Sequence, residues 1–254
     1  MVTVFGKLSF FTFLAVQVGG HLFRYLVIAG GSYGLFWKAL KEKFQGRRVQ
    51  GSAIKKNQIQ TEILYSMSTI TCFAVVGSSI YFANKLGWTK IYYNVADHGW
   101  GYWWVSLFAI LFFHDTYFYF MHRMMHHPVL YRHVHKVHHD SISPTPFTSL
   151  SFHPFEAFLE ALVIPFLILV VPLHIGVLLA YQFVTFTLNV NGHLGYELYP
   201  SDRDSRPVLK WINTATLHAL HHSRYVYNYG LYTTFWDRLL GTLRLSNNVG
   251  AKQA

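Results

Sequence analysis

Apolar and polar positions alternate along this chain on the scale of whole helices. Apolar residues dominate about 8–36, 62–84 and 101–121, and a longer stretch covers about 157–188. A bilayer-spanning helix needs roughly 20 residues. The first three stretches therefore predict one transmembrane helix each, and the last is long enough for two tight passes. Pro165 and Pro172 in the last stretch, and Gly19, Gly20, Gly30 and Gly31 in the first, predict kinks or re-entrant turns. The apolar run 8–18 follows Lys7 and lacks a clear small-residue cleavage site after it, so it is expected to act as an uncleaved anchor.

Charge orients these segments. Lys38, Lys41, Lys43, Arg47, Arg48, Lys55 and Lys56 form a short basic loop between the first two stretches, which the positive-inside rule places in the cytoplasm. The loop near 85–100 then faces outward, 101–121 returns the chain to the cytoplasmic side, and a hairpin through 157–188 ends there again. Composition agrees with a membrane setting: of 254 residues, 52% are hydrophobic and 13% charged, with 22 Phe and 17 Tyr, too apolar for a typical water-soluble domain. Much of the net charge of +10 sits in the basic loop and not among base-stacking aromatics, so nucleic acid is not an expected partner. The chain reads as a single membrane domain over 1–254. N-terminal helices and the basic loop occupy about 1–100, and a histidine-rich region occupies about 101–242. The final GAKQA is not an endoplasmic-reticulum retention signal, and the topology suits a bacterial inner membrane or the endoplasmic reticulum.

Chemistry enters with histidine. Cys72 is the only cysteine, which excludes an intrachain disulfide, a thiolate-held iron–sulfur cluster and a cysteine-based zinc site. Any metal must be held by nitrogen and oxygen. Of 16 histidines, 14 lie after residue 113. His122 and His126 are four apart and share a helix face. His135, His138 and His139 stand at i, i+3 and i+4, and His218, His221 and His222 repeat that spacing, so each triplet predicts one imidazole-rich face. With His193 in NVNGH these make nine imidazoles, enough for two metals at about four or five ligands each. A lone histidine is more often an interfacial or hydrogen-bonded residue than a ligand, and His21, His98 and His174 are read that way. His127 and His133 lie off the shared faces and are set aside as well. His114, eight before His122 and two turns deeper in the apolar stretch, is either a ligand or a support behind one.

Imidazole suits zinc, iron, copper and nickel alike. A zinc protease would show HExxH, with the glutamate as general base, and that motif does not occur. An apolar chain around a dimetal site suits attack on an unactivated C–H bond of a lipid, which calls for a redox metal that activates oxygen. Iron is favoured.

These residues resemble the fatty acid hydroxylase and sterol desaturase superfamily. Its tripartite signature, HxxxH, HxxHH and HxxHH, stands here as His122/His126, His135/His138/His139 and His218/His221/His222. The likeness runs through HDTYFYFMHR at 114–123, LYRHVHKVHH at 130–139, PTPF at 144–147, HPFEAF at 153–158 and NYGLYTTFWDRLLGT at 228–242, covering about 101–242. PTPF followed by HPFE looks most like the sterol C-5 desaturase branch. The resemblance implies an all-α integral membrane bundle whose cytosolic-side helical cap carries a histidine-ligated dimetal site. It implies two Fe ions, with zinc an alternative occupant as purified, and O2 as cosubstrate. The substrate would be a sterol-like or fatty acyl lipid. Two electrons would come from a separate donor such as a b-type cytochrome, a ferredoxin or a flavoprotein reductase, because the chain shows no dinucleotide fingerprint.

Where some fatty acid hydroxylases carry a further HxxxH, this chain has Asn189 and His193. His193 carries over as a ligand and Asn189 as a weak ligand or supporting amide. His153 is a ligand or a support. Asp115, Glu156, Glu197 and Asp237 are candidates to accept hydrogen bonds from ligand imidazoles, with a salt bridge to Arg238 the plain alternative for Asp237. Asn228, Tyr229 and Gly230 would shape a turn over the site. Trp103, Trp104, Phe112 and Phe113 either line a lipid channel or form an interfacial belt and helix packing. Two other classes remain open, a membrane metal transporter and a metal-binding protein without oxygenase activity.

Overall fold

A computed structural model describes residues 8–49 and 53–245 of the chain; Lys7 and the C-terminal GAKQA lie outside the described residues. The described chain is mostly helical, with almost no sheet. In order it contains α1 (Phe10–Arg24), α2 (Gln58–Lys85), strand β1 (Ile91–Tyr92), α3 (Gly99–Met125), α4 (Pro128–Leu130), α5 (Lys136–His139), α6 (Pro154–Ala161), α7 (Val163–Val170), strand β2 (Leu173–His174), α8 (Ile175–Gly192), α9 (Ala215–Arg224) and α10 (Phe235–Leu239). Four helical stretches are long and apolar enough to cross a membrane: Phe10–Ala39, Gln58–Lys85, Gly99–Met125 and Ile175–Gly192. Their outward faces are apolar, with Phe11, Phe23, Leu64, Val75, Phe108, Leu179 and Phe183 all exposed, as a lipid solvent allows and water does not.

The glycines of the first stretch do not break it. Beyond Arg24 the helix widens to π-type winding over Tyr25–Gly30 and Tyr33–Ala39 and continues past all four. The stretch near 157–188 divides at Val171 and Pro172 into α6 and α7, running one way, and α8, running back; of the two passes expected there, only α8 is by itself long enough to cross a membrane, since α6 and α7 are 8 residues each. Pro165 sits in the first turn of α7, where its missing N–H removes no helical bond.

Contacts at the two ends fix how the helices run. At one end Tyr81 of α2 donates to the Leu8 carbonyl at 3.0 Å, β1 pairs in parallel with β2, and the Tyr102 hydroxyl donates to the Pro172 carbonyl at 2.9 Å. At the other end Trp37 Nε1 donates to the Leu194 carbonyl at 2.8 Å, and Lys55 Nζ to that of Asp140 at 2.9 Å. The basic loop and the histidine-bearing segments therefore share one end. Between the ends, Leu107 and Ile110 of α3, Leu167 and Ile168 of α7, and Val177 and Leu178 of α8 form the main core.

A buried carboxylate fastens the histidine end. Glu62 on α2 is 1% exposed and accepts hydrogen bonds from Gln58 Nε2, Ser141 Oγ and Thr148 Oγ1, each at 2.8 Å, and from Thr145 Oγ1. Four donors make its burial tolerable and tie the loop after α5 to α2. Glu62→Leu strips the acceptor from this knot and should cost about 2–4 kcal/mol, read as an unfolding temperature several degrees lower in detergent, whereas Glu62→Gln should keep most of the stability.

Candidate metal centre

The nine sequence-predicted imidazoles come together at the basic end in two adjoining groups, whose ligand atoms lie within 4.8 Å of one another in each. His122, His126, His135, His139 and His221 form the first; His138, His193, His218 and His222 form the second. Eight of the nine are buried to 3% exposure or less, and His126 is partly exposed. Each element gives rings in the register its spacing sets. The last turns of α3 carry His122 and place His126 at the helix end. The π-wound turn Tyr131–His135 leads into α5, and α9 starts from Thr214, whose side chain caps Leu217 N. His193 is the residue that ends α8.

Neither triplet serves one group, contrary to the single imidazole face expected of each. His135 and His139 point to the first group and His138 to the second, whereas His218 and His222 point to the second and His221 to the first. Residues one position apart on a helix are rotated by about 100°, so a short helix lying between the groups feeds both, and the two motifs do so in opposite sense.

The donor set fits metal ions. In the first group the Nε2 atoms of His122 and His135 lie 3.0 Å apart, His122 and His126 3.3 Å, His126 and His221 3.1 Å, and His139 and His221 3.1 Å. In the second, His138 and His193 are 3.3 Å apart, His193 and His218 2.9 Å, and His218 and His222 3.2 Å. Nitrogens about 2.0–2.1 Å from a shared ion, at angles of roughly 90–110°, sit about 2.8–3.4 Å from each other. Three tautomers are fixed by carbonyl oxygens, which only accept: His122 Nδ1–H donates to Tyr229 at 2.8 Å, His221 Nδ1–H to Tyr227 at 2.6 Å, and His193 Nδ1–H to Asn189 at 2.9 Å. Their Nε2 lone pairs therefore face inward.

Burial, reinforced by neighbouring imidazoles, holds His126, His135, His138, His139, His218, His221 and His222 below the usual imidazole range, and burial takes His193 down to about 4. The rings are kept neutral, the form that binds metal. Glu156 accepts from His135 Nδ1 at 2.7 Å. Burial alone disfavours charge on either partner, pushing Glu156 well above the carboxylate range and His135 well below its own. A dication bound at Nε2 would supply the missing positive charge and make the carboxylate the acceptor.

Of the other acidic candidates, none reaches a ligand imidazole. Asp115 accepts from Tyr232 N and from Thr233. Glu197 accepts from Tyr199 N and from Thr216 N, at the start of α9. Asp237 accepts from Tyr229 N at 2.9 Å and Gly230 N at 2.8 Å, so it holds the turn whose Tyr229 carbonyl grips His122. Arg238 pairs instead with Asp204 at 3.1 Å. A Cβ at Gly230 would collide with the Thr233 carbonyl oxygen and stand 3.0 Å from Asp237 Oδ2; only glycine lets the turn close this tightly. His114 lies outside both groups, bonded through Nδ1 to Tyr181 and Tyr232. His153 caps α6 by accepting from Phe155 N. His21, His98, His127, His133 and His174 also stand outside both groups.

A cavity of about 150 Å³ opens beside the centre. Phe118, whose ring centroid is 4.9 Å from that of His122, and Phe152, 5.1 Å from that of His138, form its wall at this end. Trp103, Trp104, Phe112 and Phe113 do not line it; Trp104, Phe112 and Phe113 face outward, and Trp103 hydrogen-bonds His174. The Tyr227 and Tyr229 carbonyls left no side-chain signal in the sequence. Arg24 and Glu160, which line the cavity, did leave one: an ionisable residue inside an apolar stretch.

Residues 107–242, more than half of the chain, match the family described as fatty acid hydroxylase. Lathosterol oxidase of Rattus norvegicus is 35% identical over 191 residues, covering 74% of this chain and 62% of the relative. A Delta(7)-sterol 5(6)-desaturase of Aspergillus fumigatus is 32% identical over 244 residues, covering 94% and 63%, and one of Saccharomyces cerevisiae is 34% identical over 192 residues, covering 74% and 50%. The chain thus spans less than two thirds of the length of these relatives. No solved structure matches it.

The geometry sets two expected outcomes. Glu156→Leu removes the acceptor behind His135 and should weaken metal retention about 10–100-fold, measured as metal content after dialysis against graded chelator; Glu156→Gln should lose much less. For the metal-free protein the sign of the pH dependence follows from His193, which takes a proton near 6.5 when unfolded but only near about 4 when folded. Protons below about pH 6.5 therefore favour the unfolded chain. Thermal stability should be full above that pH and fall steadily as pH drops toward 4.

Proposed function

The chain belongs to the fatty acid hydroxylase family, and from that membership we propose that it is an oxygen-dependent membrane oxidoreductase that hydroxylates or desaturates a lipid. The observation that carries this reading is the pair of adjoining imidazole groups that lie behind Phe118 and Phe152 of a largely apolar cavity, within a bundle of membrane-spanning length. In this proposal His122, His126, His135, His139 and His221 hold one iron ion, and His138, His193, His218 and His222 hold the other. Asn189, one helical turn before His193, lines the cavity with its Oδ1 buried and without a hydrogen-bond partner, and serves as a weak ligand or supporting amide of the second group.

Two redox-active ions held there supply the oxygen chemistry that an unactivated C–H bond requires. The chain's own residues do the positioning. The Tyr227 and Tyr229 carbonyls and Glu156 fix the ring orientations, and Phe118 and Phe152 keep the approach to His122 and His138 apolar, which excludes water from the reacting carbon. Hydroxylation consumes O2, two electrons and two protons and yields an alcohol and one water. Desaturation consumes the same and yields an alkene and two waters. Which occurs depends on which C–H bonds the cavity wall presents.

The relatives named for lathosterol and Delta(7)-sterols favour a sterol-like substrate over a fatty acyl one. Electrons come from a separate b-type cytochrome, ferredoxin or flavoprotein reductase. The chain acts as one multi-pass domain, in a bacterial inner membrane or the endoplasmic reticulum, and its basic loop sets the histidine end toward the cytoplasm.

Iron-loaded protein supplied with O2, a reductase and its electron carrier, and a panel of sterols and fatty acyl lipids should give a product carrying one more oxygen or two fewer hydrogens by mass spectrometry. His138→Ala, which removes a ring from the second group, should lower product at least about 100-fold. Metal binding without oxygen consumption across the panel would instead mark a transport or storage protein.

A further inference from the structure

Beyond Phe118 and Phe152 the cavity contains polar groups that the metal centre does not use. Arg24 of α1, Glu160 of α6, His114 of α3, Tyr181 of α8 and Tyr232 all line it, amid phenylalanine and aliphatic side chains. His114 Nδ1 is 2.8 Å from the Tyr181 hydroxyl and 2.7 Å from that of Tyr232. One ring nitrogen has a single lone pair or a single hydrogen, so the two phenols cannot both donate to it, and Tyr232 has a second hydrogen-bond partner in the Thr185 hydroxyl.

Glu160 gives the clearer signal. Its side chain is 9% exposed, and Oε2 lies 4.0 Å from His114 Nε2, too far for a hydrogen bond. Its Oε1 is buried without a hydrogen-bond partner. Arg24 is bonded to His21 Nδ1 at 2.6 Å and forms no ion pair among the described residues. Ionisable groups left unsatisfied inside a membrane bundle are costly and mark functional positions.

The mixture of groups selects its ligand. Glu160 Oε1 needs a donor, and Arg24, with no carboxylate partner among the described residues, needs an acceptor. A carboxylate would satisfy Arg24 but face Glu160, an amine would satisfy Glu160 but face Arg24, and a hydrocarbon would satisfy neither. A hydroxyl group donates once, accepts, and carries no charge. His114 precedes His122 by eight residues on α3, about 12 Å along the helix, so a group held here lies within one lipid molecule's length of the histidines.

We propose that Glu160 and Arg24, backed by Tyr181, His114 and Tyr232, bind the single hydroxyl of an otherwise apolar lipid, and that this anchor sets which carbon meets the histidines. The inference rests on the cavity being the lipid site of the proposed oxygenase, but it is tested by binding, independently of turnover. Full-length protein in nanodiscs is titrated with cholesterol, cholesterol methyl ether and oleate in competition with radiolabelled cholesterol. The wild-type protein should bind the alcohol at least about tenfold more tightly than the ether, which cannot donate to Glu160. Glu160→Leu should erase that preference while binding the ether as well as wild type does, and Glu160→Gln, which keeps an acceptor, should retain part of it.

Equal binding of alcohol and ether by the wild-type protein overturns the proposal. So does a Glu160→Leu variant that weakens both ligands equally, because that is the mark of a structural residue. Tighter binding of oleate than of cholesterol, lost in Arg24→Leu, overturns it in favour of a carboxylate site. Each of these outcomes leaves the oxygenase assay to stand or fall by its own product.

Discussion

Nine imidazole rings packed against one another, eight of them out of water, leave little room for charge among themselves. A proton on one ring loses its hydration and meets its neighbours' repulsion, so the rings stay neutral with lone pairs to spare. Neutral rings in contact still need a reason to aim the same nitrogen inward, and that comes from outside the cluster. Carbonyls of Tyr227, Tyr229 and Asn189 each take an Nδ1 hydrogen, and Glu156 faces the Nδ1 of His135. Orientation is thus delegated to backbone, and the backbone must be held in turn.

That requirement explains polar features far from the rings. Asp237 holds the Tyr229–Gly230 turn through two backbone N–H groups. Asn228, at φ 56°, binds the Leu217 and Arg244 carbonyls. Glu62 ties the loop after α5 to α2. Each sits where irregular chain passes beneath the apolar helices, the place where unsatisfied backbone would otherwise be most expensive.

Membership of the histidine groups was legible in the sequence because metal ligation demands fixed spacings, and His122, His135 or His221 could be picked from numbers alone. The helix stretches were legible because lipid tolerates only long apolar runs. The division of each triplet between two groups was not, since spacing says which rings share a helix but not where that helix lies. The same limit separates Glu156 from Asp115: both are acids within the motif region, yet only Glu156 meets a ligand ring, a matter of how α6 packs beside the π-wound turn Tyr131–His135. The glycines of the first stretch misled for a different reason. A helix can absorb local slack by widening to π-type winding, and composition does not distinguish that from a bend.

The opposite sharing of the two HxxHH helices ties the halves of the centre mechanically. Through His138 and His139, α5 reaches both groups, and α9 does the same through His221 and His222. A shift of either helix that opens one group displaces a ring of the other. The centre is built as a single joint with two seats, and neither seat can be reshaped by moving α5 or α9 without disturbing the other.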